Sequence, residues 1–289
     1  LHKEYRRQRQ MCIRDRVYLH VSFAGIYGFA KNIMLGEGHD IRLLAGREAV
    51  EVIEANRDVI IGVKVRVGRH ASGPAGIQPL DVALQVADET GLPLMAHIDE
   101  PPPSYEDVVS KLRKGDVLTH CYRPFPNAPI DGKGKVKPAI LAARERGVLF
   151  DIGHGMGSFS WRTARAMLAE GFLPDTISSD VHSLCITGPA YDQVTTLSKF
   201  LALGIPIGEV IAASTVNAAK ALQRPELGNF AVGAPGDASV LELRDGRFPL
   251  EDVRGEVVVA NQRLFAAGLV LAGREVDRGA GKALAAAGE

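Results

Sequence analysis

DVIIGVKVRV, residues 58–67, decides the fold. It is an apolar, β-branched run carrying Lys64 and Arg66 near its end, and it lies between two stretches of helical periodicity, REAVEVIEANRD (47–58) and PLDVALQVADETG (79–91). A short run of this kind between amphipathic helices reads as a strand buried on both faces, the strand type of a parallel sheet. The unit recurs on either side. VYLHVSF (17–23) precedes it, and LPLMAHI (92–98), DVLTHCY (116–122), GVLFDIGHG (147–155) and DTISSDVH (175–182) follow. Helices are predicted over SYEDVVSKLRKG (104–115), KPAILAARERG (137–147), FSWRTARAMLAEGF (159–172), about 190–203 and about 207–222. Ser104 and Asp107 have the spacing of a capping box, and Gly91 and Gly115 are the expected stops. Stretches 24–45 and 123–137 read as loops.

The pattern predicts an α/β fold, a (β/α)8-type TIM barrel, with strands near 17–23, 59–66, 92–98, 116–121, 147–152 and 175–180. A closed barrel has eight strands, so the first two are expected to be missing. After Gly228, ASVLELRDGRF and GEVVVANQRLFAAGLVLAGREV read as short strands separated by Asp-Gly and Gly turns, a small C-terminal β-sandwich portion. The resulting division is 1–16 non-native, 17–227 partial barrel, 228–276 β appendage and 277–289 disordered tail. The opening LHKEYRRQRQMCIRDR is basic and aperiodic. Its MCIRDR resembles a translated library-adapter scar; the alternative is a natural basic arm that binds phosphates or stays disordered.

Polar groups stand at the strand ends. Lys64, His97, His120, Asp151 and Asp180 follow one another at steps of 33, 23, 31 and 29 residues, about one strand-plus-helix unit each. That repeat puts them on one rim of the barrel, where such barrels keep their chemistry. Two His and an Asp suit Zn²⁺, with Mn²⁺ and Fe²⁺ also accommodated. Lys64 in an apolar strand admits two readings: a snorkelling or salt-bridged lysine, or one whose amine has reacted with CO₂ to give an anionic carbamate ligand.

Bulk properties narrow the partners. With 34 Lys and Arg against 34 Asp and Glu, the chain has no electrostatic footprint for nucleic acid or an anionic membrane. Three cysteines are too few and too scattered for a disulfide framework or a CxxC zinc site, which suggests a reducing, cytoplasmic setting. No apolar run reaches the roughly 20 residues of a membrane span. GHGMG (153–157) matches neither a dinucleotide nor a P-loop spacing. Trp161 and Cys121 read as core residues.

Together GVKVR (62–66), MAHI (95–98) with PPPS (101–104), LTHC (118–121), DIGHG (151–155) with SFS (158–160), and TISSDVH (176–182) resemble the amidohydrolase superfamily of metal-dependent hydrolases. Within it, the likeness is to the dihydroorotase-like amidohydrolase/deacetylase group. The closing stretch 214–243 resembles the segment that leads from the last helix into the β-sandwich. The resemblance implies a carboxylated, metal-bridging Lys64, with His97 and His120 on a second metal. It implies Asp180 as both metal ligand and proton shuttle, and two zinc ions in the intact protein. It places His154 beside the substrate, although a loop-bracing histidine is the other reading, and makes Arg66, His182 and Tyr122 further candidates for substrate contact. The partner implied is a small acylated molecule, and a homo-oligomer is the plausible form.

One departure stands out. The superfamily's first-strand His-x-His pair has no counterpart, since His2 and His20 are isolated. This reads as an N-terminally truncated hydrolase whose open barrel edges favour aggregation and little activity. The expected chemistry is hydrolysis of an amide or ester. The alternatives are a dihydroorotase-like cyclic amidohydrolase, a phosphotriesterase or lactonase relative, and a non-catalytic barrel that binds a ligand or partner.

Overall fold

The computed structural model describes residues 16–22 and 36–276. Along the chain run β1 (Val17–His20), α1 (Gly46–Ala55), β2 (Ile60–Val67), α2 (Gln78–Thr90), β3 (Leu94–Ile98), α3 (Tyr105–Lys111), β4 (Val117–Thr119), α4 (Pro138–Glu145), β5 (Leu149–Asp151) and α5 (Trp161–Ala169). Then come α6 (Gln193–Ala202), α7 (Ile207–Ser214), α8 (Val216–Ala221), β6 (Ala238–Glu251), β7 (Val257–Leu271) and β8 (Arg274–Glu275). The expected alternation of strands and helices is present. The segments 1–15 and 277–289, expected to be non-native and disordered, lie outside the described residues, as do 23–35.

The chain forms two compact units, one reaching to Thr119 with Ala142–Val148, the other comprising His120–Leu141 and the chain from Leu149 on. In the first, β1 pairs with β2, β2 with β3 and β3 with β4, all parallel. Val63, Val65, Val67, Leu94, Ala96 and Ile98 form a fully buried face. The α2 helix packs on β2 and contributes the buried Leu80, Ala83, Val86 and Ala87. Gly91 ends α2 in the left-handed conformation (φ 66°), which glycine adopts without Cβ strain. Strand side chains alternate between faces, so Lys64, Arg66, Met95 and His97 share the opposite, half-buried face.

The second unit is built on aromatic packing. Phe150 meets Phe172 edge-on at 5.0 Å, and Phe159 lies 5.2 Å from Trp161 and 5.7 Å from Phe200. Its β6, β7 and β8 form an antiparallel sheet. Leu264 of β7 donates its N–H to Ser198 of α6 at 3.0 Å.

Four details differ from the sequence expectation. The α3 helix ends at Lys111, not Gly115. Leu112 is extended (ψ 140°), and Arg113 is drawn into a turn by Asp116, whose carboxylate accepts the Arg113 N–H at 2.7 Å and its Nη2 at 2.9 Å. The 207–222 helix is two helices, broken at Thr215, whose hydroxyl donates to the Ile211 carbonyl at 2.7 Å. DTISSDVH forms no strand beyond a single parallel bridge between Asp151 and Thr176. It runs beside 152–155 through N–H donations from Ile152 to Thr176, His154 to Ser178 and Gly155 to Ser179, and turns away at Asp180 with φ 45°. The C-terminal strands are long, because β6 continues through Asp245-Gly246 as a register shift instead of turning there. The unbroken β7 supplies partners on both sides of that bulge. Among the described residues, no helix is long and apolar enough to cross a membrane.

Candidate active site

In the first unit, register brings the polar groups together. His20 pairs with Lys64, Lys64 with Met95 and Arg66 with His97, so their side chains stand in two adjacent rows on one face. Arg66 reaches two ways. One guanidinium nitrogen lies 3.2 Å from Glu37 Oε1, and the other donates to His97 Nε2 at 3.4 Å. A guanidinium cannot accept, so Nε2 of His97 carries the lone pair. Asp99 Oδ2 lies 3.9 Å from that nitrogen. Its carboxylate accepts the N–H groups of Ala71 (3.0 Å) and His70 (3.3 Å), and it fills the space where a Cβ on Gly68 would sit.

His20 faces the same cluster. Its Nδ1 accepts the Ser22 N–H at 3.1 Å, which leaves the ring proton on Nε2, 3.8 Å from Glu37 Oε1. Neither of those two atoms has a hydrogen-bond partner among the described residues. Burial, then the charges of Lys64 and Arg66, push His20 down to about 4. Burial pushes the Glu37 carboxyl up, against the pull of Arg66.

In the second unit, His120 has φ 73°, a left-handed residue that ends its strand and buries the ring. Its Nδ1 lies 2.6 Å from the Gly153 carbonyl. A carbonyl only accepts, so Nδ1 bears the proton and Nε2 the lone pair. Asp151 is a brace, its two oxygens accepting the hydroxyls of Thr176 and Ser178 at 2.7 Å each. Asp180 is exposed and lies over Gly155, where an added Cβ would stand 2.5 Å from its Oδ2. Its loop is held by Cys185, whose thiol donates to the Asp180 carbonyl (3.6 Å) and accepts the His182 N–H (3.3 Å). His182 Nδ1 accepts from Leu184 N–H at 3.3 Å.

His154 and Tyr122 are both wholly buried. The Tyr122 hydroxyl donates to the Phe172 carbonyl at 2.5 Å. His154 is engaged at both nitrogens: Nδ1 donates to the Gly155 carbonyl (2.9 Å) and Nε2 accepts from Lys199 (2.6 Å). Burial and the Lys199 charge push His154 down to about 3. Burial also pushes the Lys199 amine down to about 7, partly offset by Asp252 and Glu251.

Three of these groups are absent from the sequence reading: Glu37, Asp99 and Lys199. Asp99 was detectable, since it follows His97 by two residues at the same strand end. Lys199 also carried a signal, being a lysine between the apolar Leu197 and Phe200 of one helix. Glu37 carried none, because its role depends on a distant Arg66. Among the described residues, no three His, Cys, Asp or Glu side chains converge as a metal site. The donor chemistry fits a divalent metal at His120, whose Nε2 carries the lone pair, whereas the lone pair of His97 Nε2 is turned to the Arg66 guanidinium.

No family model matches the chain. Curated relatives named deacetylases do. That of Brucella anthropi is 33% identical over 229 residues, 79% of this chain and 57% of the relative. That of Agrobacterium fabrum is 31% identical over 244 residues, covering 84% and 60%. That of Enterococcus faecalis is 32% identical over 230 residues, covering 78% and 62%. The chain thus spans about three-fifths of the length of these relatives. A solved adenine deaminase superposes with a TM-score of 0.85 at 30% identity, covering 90% of this chain and 70% of that one. A solved dihydroorotase gives 0.79 at 29% identity, covering 90% and 69%. The five parallel strands, the helices between them and these superpositions are those of the TIM-barrel fold, and the chain belongs to the amidohydrolase superfamily.

Proposed function

We propose that the chain hydrolyses the acyl bond, amide or ester, of a small N-acyl or O-acyl molecule, as a metal-dependent deacetylase. The observation that carries this reading is the 31–33% identity to deacetylases across most of the chain. Lys64, His97, His120 and Asp180 would hold the metal, Zn²⁺ first among the candidates and Mn²⁺ or Fe²⁺ with the same donors. Lys64 would do so as the carbamate formed when its amine adds CO₂ and releases a proton. A bound divalent metal lowers the pKa of a water nucleophile and polarises the scissile carbonyl.

The remaining work falls to the chain. Asp180 takes a proton from the attacking water and passes it to the departing nitrogen or oxygen, general acid–base catalysis by one carboxylate. The Gly153 carbonyl fixes the tautomer of His120, and Arg66 with Asp99 flanks His97. Arg66 and His182 are the proposed substrate contacts. Tyr122 and His154, proposed alongside them from the sequence, are occupied inside the packing of the second unit. The reading implies a small-molecule partner, no nucleic acid or membrane, a cytoplasmic setting and a homo-oligomer.

One other reading has an observation behind it: the dihydroorotase superposition favours opening of a cyclic amide. A barrel that binds a ligand without turnover is an outcome of the test. The deciding experiment is elemental mass spectrometry on the purified chain and on Lys64→Ala, both expressed with bicarbonate and Zn²⁺, followed by assay on N-acetylated amino acids and cyclic amides. Bound zinc that falls in the variant, with release of acetate, is the expected result. A folded chain without metal or turnover rejects the hydrolase reading.

A further inference from the structure

Lys199 of α6 has no exposed surface. Its Nζ meets three acceptors: His154 Nε2 at 2.6 Å, the Glu251 carbonyl at 2.6 Å and the Pro189 carbonyl at 2.8 Å. An ammonium has three donors and no lone pair, so donors and acceptors match in number. A buried ammonium is costly even when bonded, and an apolar side chain would fill this space more cheaply. Packing therefore does not account for a lysine here.

Two of the three acceptors, His154 and Pro189, lead to one place. The His154 ring, stacked on Phe159 at 4.9 Å, donates from Nδ1 to the Gly155 carbonyl. The N–H groups of His154 and Gly155 donate to the carbonyls of Ser178 (3.2 Å) and Ser179 (2.9 Å), the two residues before Asp180. Gly155 lies directly under the Asp180 carboxylate. Pro189 closes the loop that leaves Asp180, and Glu251 ends β6.

We propose that Lys199 is a positioning residue for Asp180, holding the 153–155 loop through the His154 ring and the far end of the Asp180 loop through Pro189. The proposal rests on the reading of Asp180 as the proton-carrying group. It also assigns His154 a bracing role.

The test uses the full chain. Nitrogen-15 NMR of the wild-type His154 ring at neutral pH is expected to show a protonated Nδ1 and a bare Nε2; a protonated Nε2 would overturn the proposal. Lys199→Met removes the three donors at similar length. The amide resonances of Gly155 and Asp180 should then shift, and kcat for N-acetylated amino acids should fall about 100-fold with KM little changed, the scale expected of a small misplacement. Lys199→Arg, which keeps charge and donors, should recover part of that loss. Unchanged amides and kcat in Lys199→Met would overturn the idea. If the wild type hydrolyses none of these substrates, the hydrolase reading fails, and the ring tautomer and amide shifts alone decide whether Lys199 holds this segment. If Lys199→Met does not fold, Lys199→Arg and the wild-type tautomer decide.

Discussion

Gly155 is a glycine because Asp180 occupies the space a side chain would need, and because its φ of 49° strains any other residue. Gly155→Ala should push the carboxylate aside and cost about 1–2 kcal/mol from the left-handed backbone alone. A thermal melt reads the stability, and a turnover assay on N-acetylated amino acids should show a loss of about 100-fold. A turnover equal to wild type would remove Asp180 from the chemistry. His154 sets a pH dependence. Its folded pKa of about 3 lies below the usual 6.5, so below 6.5 the unfolded chain binds more protons than the folded one. Its contribution to stability is complete above pH 6.5 and is lost as pH falls toward 3. Urea titrations at neutral and acid pH should show this fall, and it should shrink in His154→Gln. At this scale the sequence displayed Lys64, His97, His120 and Asp180 through their spacing. It did not display which histidine nitrogen is bonded, nor that the Tyr122 hydroxyl goes to Phe172, because those partners lie tens of residues away.

The elements were legible where the signal is local. Ser104 and Asp107 form the expected capping box, with Asp107 N–H on Ser104 Oγ at 3.1 Å and Ser104 N–H on Asp107 Oδ2 at 3.1 Å. Ser104→Ala should cost about 1 kcal/mol by urea denaturation. Asp252 shows the opposite case. Its buried carboxylate accepts the N–H of Trp161 (2.9 Å), Arg254 (2.7 Å) and Glu256 (3.0 Å), joining the start of α5 to the β6–β7 turn. Asp252→Ala leaves these donors without their acceptor and should cost about 3 kcal/mol in the same assay, the scale of losing charge-assisted hydrogen bonds. An effect below that of Ser104→Ala would deny the turn this role. TISSDVH reads as a strand from its β-branched residues, yet a strand also needs a regular ladder, and here the donations come from Ile152, His154 and the consecutive Gly155, off the even spacing of a parallel ladder.

For the molecule as a whole, balanced charge governs what it meets. With 34 cationic and 34 anionic side chains, the chain should give no saturable polarisation change with labelled duplex DNA even at low salt. Tight, salt-sensitive binding would point to a local basic surface that the net charge hides.

By itself the sequence determined the α/β class, the alternation of strands and helices up to β5, and the superfamily. The class and the alternation follow from short-range periodicity along the chain; the superfamily follows from the resemblance of its strand-end motifs. Only the tertiary structure decided that DTISSDVH pairs through one bridge, that Asp245-Gly246 is a bulge, that Arg66 is shared between Glu37 and His97, and that a buried lysine grips His154. These depend on which groups distant segments bring within about 3 Å, the range over which a hydrogen bond forms and a proton is assigned to one nitrogen.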